Sequence, residues 1–186
     1  MLVQKMQDRL GGLNRYTGDG AKQKIKTVPI ILLTIFHHIM YPYKYYRYVN
    51  LPKIPVDIVK GINWNIDSYE SHSPNPDSYK WSDSFNKDIN EWCQKNICDE
   101  IYWAFQIIRT DLIIHRDIGT KTKFNYLIDT GGDKVTTNFY DEDQTTLVDS
   151  VVFEPERWHI LKADSYHQVL GVVPGRIRLA VTGRIF

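Results

Sequence analysis

The chain has 186 residues, of which 42% are hydrophobic and 24% are charged. This is the size and composition of one globular domain, and it excludes a disordered or fibrous protein. The net charge of +1 excludes a uniformly basic nucleic-acid-wrapping protein, although residues 1–60 hold ten Lys and Arg against three Asp, while residues 61–186 hold thirteen against nineteen acids.

The first part of the chain divides into a tail and the start of a domain. Residues 1–26 are polar, contain four glycines and lack periodicity, so we expect a basic tail or loosely docked arm. We expect residues 27–186 to form a single domain. The most apolar stretch, Val28–Met40, is shorter than a membrane span and is predicted to be a buried strand. Since no secretory signal is visible, we expect a cytoplasmic protein without a membrane partner.

Five of the twelve tyrosines lie within residues 41–48, interleaved with Lys44 and Arg47. Such a run can stack nucleic-acid bases above bound phosphates. An edge strand or loop whose rings pack beneath it is the commoner structure. We therefore expect no nucleic-acid partner, while the basic N-terminal part leaves that alternative open.

A loop and a helix are predicted next. The stretch Ser68–Ser84 is rich in Ser, Pro and Asp, which is typical of a surface loop and suggests a lid. After it, apolar residues recur at helical spacing and predict a helix on the outside of the fold, with Ser84 as its N-cap. Cys93 and Cys98 match no metal or redox spacing and are predicted to be buried thiols. The apolar stripe consists of Phe85, Ile89, Trp92, Cys93 and Ile97.

From Ile101 to the end, seven short β-rich runs are separated by turn signals such as Gly131-Gly132 and Pro174-Gly175. Many short strands with a helix before them, rather than between them, favour an antiparallel arrangement. The predicted fold class is mainly β (α+β), a jelly-roll or double-stranded β-helix with one or more supporting helices packed outside.

One group of residues could carry chemistry. His115 and Asp117 are two residues apart at the predicted end of a strand, so they share a face, with Arg116 on the other. His167 begins a later strand, after the turn at Asp164-Ser165. Two imidazoles and a carboxylate form the facial triad of non-haem iron sites, which leaves three coordination positions open.

Arginines follow this group on the last predicted strand. Arg176 and Arg178 share a face with small residues, and a buried guanidinium needs an anionic partner. We expect Arg176 to bind a ligand carboxylate. Two alternatives stay open: Arg176 forms a salt bridge with Asp129, or Arg178 is the residue that binds the anion.

The part of the chain from residue 101 to residue 186 resembles the Fe(II)- and 2-oxoglutarate-dependent oxygenases with a double-stranded β-helix, in particular their prolyl-hydroxylase-like branch. The resemblance rests on the stretches HRD, FNYLID, HQV and GRIRLAVTGRIF. It implies that the iron ligands, which are also the catalytic residues, are His115, Asp117 and His167. It further implies that 2-oxoglutarate is bound by Arg176, with Tyr126 and Asn125 as further contacts; a one-residue slip in register would exchange the faces of the last two.

The reaction implied by this resemblance is dioxygen-dependent hydroxylation of an organic substrate, peptide or small molecule, with succinate and CO2 as co-products. A peptidyl prolyl residue is one candidate substrate, and ascorbate is a candidate reductant. Two alternatives stay open: a non-catalytic β-sandwich that binds or supports a partner, and a cupin-like metal enzyme that does not use 2-oxoglutarate. The remaining histidines, among them His159, have no acidic partner at ligand spacing and are predicted to be structural or solvated.

Overall fold

The structure is a computed structural model that describes residues 43–60, 81–84 and 86–185. The predicted tail 1–26, the apolar stretch Val28–Met40, residues 68–80 of the predicted loop, and Phe85 lie outside these residues. The described chain is mainly β, as predicted. Its helices are α1 (Val56–Lys60) and α2 (Lys87–Asn96), and its strands are β1 (Tyr46–Tyr48), β2 (Trp81–Ser84), β3 (Trp103–Ile108), β4 (Thr122–Thr130), β5 (Thr136–Tyr140), β6 (Leu147–Val151), β7 (Trp158–Lys162), β8 (His167–Leu170) and β9 (Arg178–Ile185).

The strands of this described part form two antiparallel sheets. The larger has the order β1-β7-β4-β9-β3-β2, and the smaller has the order β6-β5-β8. Each of the seven predicted β-rich runs contains a strand. The Tyr-rich run ends in β1, an edge strand paired with β7, which confirms the edge-strand interpretation.

The prediction of a loop over Ser68–Ser84 is wrong at its C-terminal end. Residues 81–84 form β2, which pairs along its whole length with β3. Ser84 therefore ends a strand and does not cap the helix. The N-cap of α2 is Asn86, whose side-chain oxygen accepts a hydrogen bond from the backbone N–H of Ile89 at 3.1 Å.

Helix α2 otherwise follows the predicted stripe. Its buried residues include Ile89 and Cys93, and Ile97 directly after it is also buried. Cys93 and Cys98 are buried free thiols, as predicted. Within the residues that the structure describes, no helix combines the length and apolar character needed to cross a membrane.

The larger sheet has two buried faces of opposite character. Because side chains alternate along a strand, Phe124 and Tyr126 of β4 lie on one face, while Lys123 and Asn125 lie on the other. We call the first the aromatic face, since the Trp103 ring contacts those of Phe124 and Trp158, and the Trp158 ring contacts that of Tyr126. We call the second the cavity face, because it lines a cavity that β5 and β8 of the smaller sheet close from the other side.

Candidate metal centre

Backbone hydrogen bonds hold the chain segments that carry the three predicted metal ligands. His115 and His167 form an antiparallel bridge, in which each backbone N–H donates to the carbonyl oxygen of the other at 2.9 and 2.8 Å. The backbone N–H of Asp117 donates to the carbonyl oxygen of Ala163 at 2.8 Å. The expectation that His115 and Asp117 end a strand needs correction, because β3 stops at Ile108 and this single bridge holds the connecting segment.

The structure brings the three predicted ligands together. One donor atom from each of His115, Asp117 and His167 lies within 4.8 Å of the other two, a spacing at which they could hold one metal ion. The two imidazole rings have centroids 4.4 Å apart. Nε2 of His115 lies 3.8 Å from Oδ1 of Asp117.

Hydrogen bonds set the orientation of both imidazoles. Nδ1 of His115 lies 2.8 Å from the carbonyl oxygen of Ile113, and Nδ1 of His167 lies 2.8 Å from that of Ser165. A carbonyl oxygen can only accept, so each Nδ1 carries the proton and each Nε2 keeps a free lone pair. Metal-binding histidines are usually held in this way by a carbonyl or carboxylate.

The protonation of the three groups also suits a cation. Burial lowers the pKa of His115, and burial together with the nearby charge of His115 lowers the pKa of His167 to about 4, so both rings are neutral at pH 7. Burial alone would raise the pKa of Asp117, but Lys123 and the two imidazoles outweigh it and lower this pKa. Two neutral nitrogens and one carboxylate oxygen fit a divalent metal ion without any further deprotonation.

Lys123 of β4 completes the environment of Asp117. Its side chain is only 4% exposed, and its Nζ lies 2.6 Å from Oδ2 of Asp117. The sequence interpretation missed this residue. The available signal was a lysine two residues before Asn125 in the same predicted β-rich run, which places both side chains on one face.

Arg178 supplies a cation to the same cavity. Its guanidinium is buried and donates to Thr137 Oγ1 of β5 at 3.1 Å. Among the described residues, no carboxylate lies within ion-pair distance of it. Burial lowers the pKa of Arg178 to about 10, so the group is still charged at pH 7. A buried charge without a counter-ion is costly, which makes Arg178 a candidate anion-binding residue.

Two residues expected to bind the co-substrate lie elsewhere. Arg176 precedes β9 and is exposed; its Nη2 lies 3.2 Å from Oδ1 of Asp129, which is the salt bridge that the sequence left open. Tyr126 lies on the aromatic face, where its ring is 5.0 Å from that of Trp158. Arg176 lies outside the cavity because β9 begins only at Arg178, which lines the cavity instead. Tyr126 lies on the other face because successive side chains of β4 alternate, and its neighbour Asn125 lines the cavity.

Asn125 and His159 face each other across β4 and β7 on the cavity face. The side-chain oxygen of Asn125 is buried and has no hydrogen-bond partner among the described residues. The His159 ring is 1% exposed and stacks on Phe153 at a centroid distance of 3.7 Å. The sequence placed His159 among structural or solvated histidines; it is not solvated, and it lines the cavity.

Comparison with known proteins leaves the family open. No protein family matches the chain, and no curated protein does. Among solved structures, the chain is similar to Fe(II)-HppE with the alternative substrate (S)-1-HPP, at 8% identity and a TM-score of 0.40 over 98% of this chain and 96% of that one. It is also similar to FeII HppE, at 8% identity and a TM-score of 0.39 over 98% and 97%. Similarity at this level does not assign a function to the chain.

Proposed function

We propose that the protein is an Fe(II)-dependent oxygenase of the double-stranded β-helix type, with 2-oxoglutarate as co-substrate. The observation that carries this proposal is a buried guanidinium, Arg178, in the same cavity as His115 and His167, two of the three convergent metal donors. A side chain of this kind pairs well with a carboxylate. The two antiparallel sheets on either side of the cavity fit such a fold.

The donor set favours iron. Two imidazoles and one carboxylate on one side of a metal ion leave the opposite positions free, which is typical of non-haem Fe(II) oxygenases. Bound iron would supply the activation of dioxygen, and 2-oxoglutarate the electrons that this requires. The protein's own part is to hold the metal through His115, Asp117 and His167, and to orient the co-substrate through Arg178.

The substrate in this proposal is an organic molecule or peptide that is hydroxylated at a C–H bond. Asn125 also lines the cavity, with a side-chain oxygen that has no hydrogen-bond partner among the described residues, and Thr137 accepts a hydrogen bond from Arg178. The Thr137 hydroxyl and the Arg178 guanidinium can donate to the distal carboxylate of the co-substrate, and the Asn125 oxygen can accept a hydrogen bond from the substrate.

A second candidate is a cupin-like metal enzyme that binds an anionic substrate directly and does not use 2-oxoglutarate. The positions of Tyr126 and Arg176 favour it, because two of the three co-substrate contacts implied by the resemblance lie outside the cavity. In this case Arg178 would bind the anionic group of the substrate itself.

Anaerobic spectroscopy with Fe(II) and 2-oxoglutarate separates the two candidates. A chelate of the keto acid on Fe(II) gives a weak visible charge-transfer band, so we expect this band in the wild type and in Arg176→Met, but not in Arg178→Met. Succinate release in air should follow the same pattern. Retention of Fe(II) without a band would favour the cupin-like enzyme. Absence of both the band and retained Fe(II), with unchanged activity in His115→Ala, would favour the non-catalytic binding module.

A further inference from the structure

Lys123 places a second buried cation beside the proposed metal site. It projects from β4 onto the cavity face, and its side chain is almost fully buried. Surface lysines are common, whereas a lysine buried at this depth is retained only with a partner. That partner is Asp117, one of the three candidate metal ligands.

The two oxygens of Asp117 have different neighbours. Oδ1 lies 3.8 Å from Nε2 of His115, and Oδ2 lies 2.6 Å from Nζ of Lys123. Oδ1 can therefore coordinate a metal ion while Oδ2 keeps its ion pair with the Lys123 ammonium group. Lys123 does not have to leave when the metal binds, so its positive charge stays next to that of the metal ion.

Charges in this cavity then do not balance. Asp117, the ion-pair partner of Lys123, contributes one negative charge, and Lys123 and Arg178 contribute two positive charges. Among the described residues, no acidic side chain lines the cavity itself. A divalent ion raises the local net charge from +1 to +3. Like charges a few ångströms apart repel strongly where water is excluded.

We propose that Lys123 makes metal binding conditional, so that a divalent ion is held firmly only together with a ligand that carries at least two negative charges. This inference rests on the proposed metal site. By linkage, the metal must strengthen the binding of the anion by the same factor as the anion strengthens the binding of the metal. Lys123 thereby selects a dianionic ligand over a monoanionic or neutral one.

The test measures the affinity for Mn(II), by electron paramagnetic resonance of the free ion, in four proteins: wild type, Lys123→Met, Lys123→Gln and the control Lys121→Met. Lys121 is an exposed lysine just before β4, so its variant makes the same change of charge where solvent screens it. Each protein is titrated alone, with 2-oxoglutarate, with inorganic phosphate, and with 2-oxopentanoate, which lacks the distal carboxylate.

In the wild type we expect 2-oxoglutarate to tighten Mn(II) binding at least ~10-fold, and 2-oxopentanoate to tighten it less. Both Lys123 variants should bind Mn(II) alone at least ~10-fold more tightly than the wild type, with a smaller enhancement by the dianion. Lys121→Met should behave as the wild type. Circular dichroism measures whether each variant folds. If Lys123→Met does not fold, the comparison is made with Lys123→Gln, which keeps a hydrogen-bond donor for Asp117.

Weaker or unchanged Mn(II) binding in the folded Lys123 variants would overturn the inference, because Lys123 would then only orient Asp117. Failure of both 2-oxoglutarate and phosphate to tighten Mn(II) binding in the wild type would overturn it as well. If phosphate tightens Mn(II) binding and 2-oxoglutarate does not, the inference about Lys123 is supported and 2-oxoglutarate is excluded as the co-substrate. If His115→Ala binds Mn(II) as tightly as the wild type, the proposed metal site itself fails.

Discussion

The two faces of the larger sheet are built from the same strands and are buried to a similar degree, yet they contain opposite chemistry. The aromatic face packs rings against one another, and its residues are explained by stability alone. The cavity face buries a lysine, an arginine and an asparagine, each of which costs free energy to remove from water. Burial is therefore uninformative by itself, whereas buried polar groups that lack a hydrogen-bond partner or a counter-ion among the described residues, such as Asn125 and Arg178, indicate a ligand site.

The largest effect should come from the aromatic face. Trp103 is fully buried, and its indole N–H donates to the carbonyl oxygen of Cys98 at 3.1 Å. Trp103→Ala should lower the free energy of unfolding by about 3–5 kcal/mol, because it leaves a cavity and an unpaired carbonyl. Urea denaturation measures this loss. Metal affinity of the folded protein should stay within about twofold of the wild type, and a larger change would show that the two faces are coupled.

On the cavity face, a substitution should instead raise the free energy of unfolding. Arg178→Met removes a buried charge that has no carboxylate partner and leaves a side chain of similar length, so the free energy of unfolding should rise by about 1–4 kcal/mol. The matched control is Arg176→Met, which removes an exposed arginine paired with Asp129 and should change stability by less than about 1 kcal/mol. A clear loss of stability in Arg178→Met would mean that the guanidinium has a structural role and needs no anion.

A glycine in β9 gives a finer test of the aromatic face. Gly183 lies opposite Trp103, and a Cβ atom at this position would come within 2.6 Å of two atoms of the indole ring. Gly183→Ala should therefore lower the free energy of unfolding by about 1–3 kcal/mol through overpacking.

Gly175→Ala is unsuitable as a control because its φ of +83° would add backbone strain. A suitable control is Thr182→Ala, which lies next to Gly183 on the cavity face. Equal effects in the two variants would contradict the packing explanation.

Much of the fold could be predicted from the sequence, because the strands carry a clear period and turn residues separate them. His115, Asp117 and His167 could be proposed as a group since metal chemistry limits which side chains can act together. The choice between Arg176 and Arg178 could not be made, because the place where β9 begins depends on its partners β3 and β4.

Lys123 and His159 were missed for a different reason. Neither belongs to a recognisable motif, and each becomes informative only when the sheets place it in the cavity. The N-cap of α2 was also misplaced, because Ser84 and Asn86 are both good capping residues and only the pairing of β2 with β3 decides between them.

The smallest effect concerns His159 and acid stability. Burial, assisted by the charge of Arg178, lowers the pKa of His159 to about 3, below the value of about 6.5 expected in the unfolded chain. Between these values the unfolded state binds a proton that the folded state excludes, so stability falls as the pH falls below 6.5. His159→Phe keeps an aromatic ring against Phe153 and removes the titratable group, so neither the folded nor the unfolded state can bind a proton at this position.

Relative to its own value at pH 7.5, the variant should therefore lose about 1.4 kcal/mol less than the wild type on going to pH 5.5. Urea denaturation at the two pH values measures the difference. His167, whose pKa is lowered to about 4, keeps a pH dependence of the same sign in the variant, so the slope should shrink without vanishing. An unchanged slope would mean that protonated His159 is accommodated in the cavity. Because the Arg178 charge is the second cause of its low pKa, Arg178→Met should in turn weaken the acid sensitivity that His159 contributes.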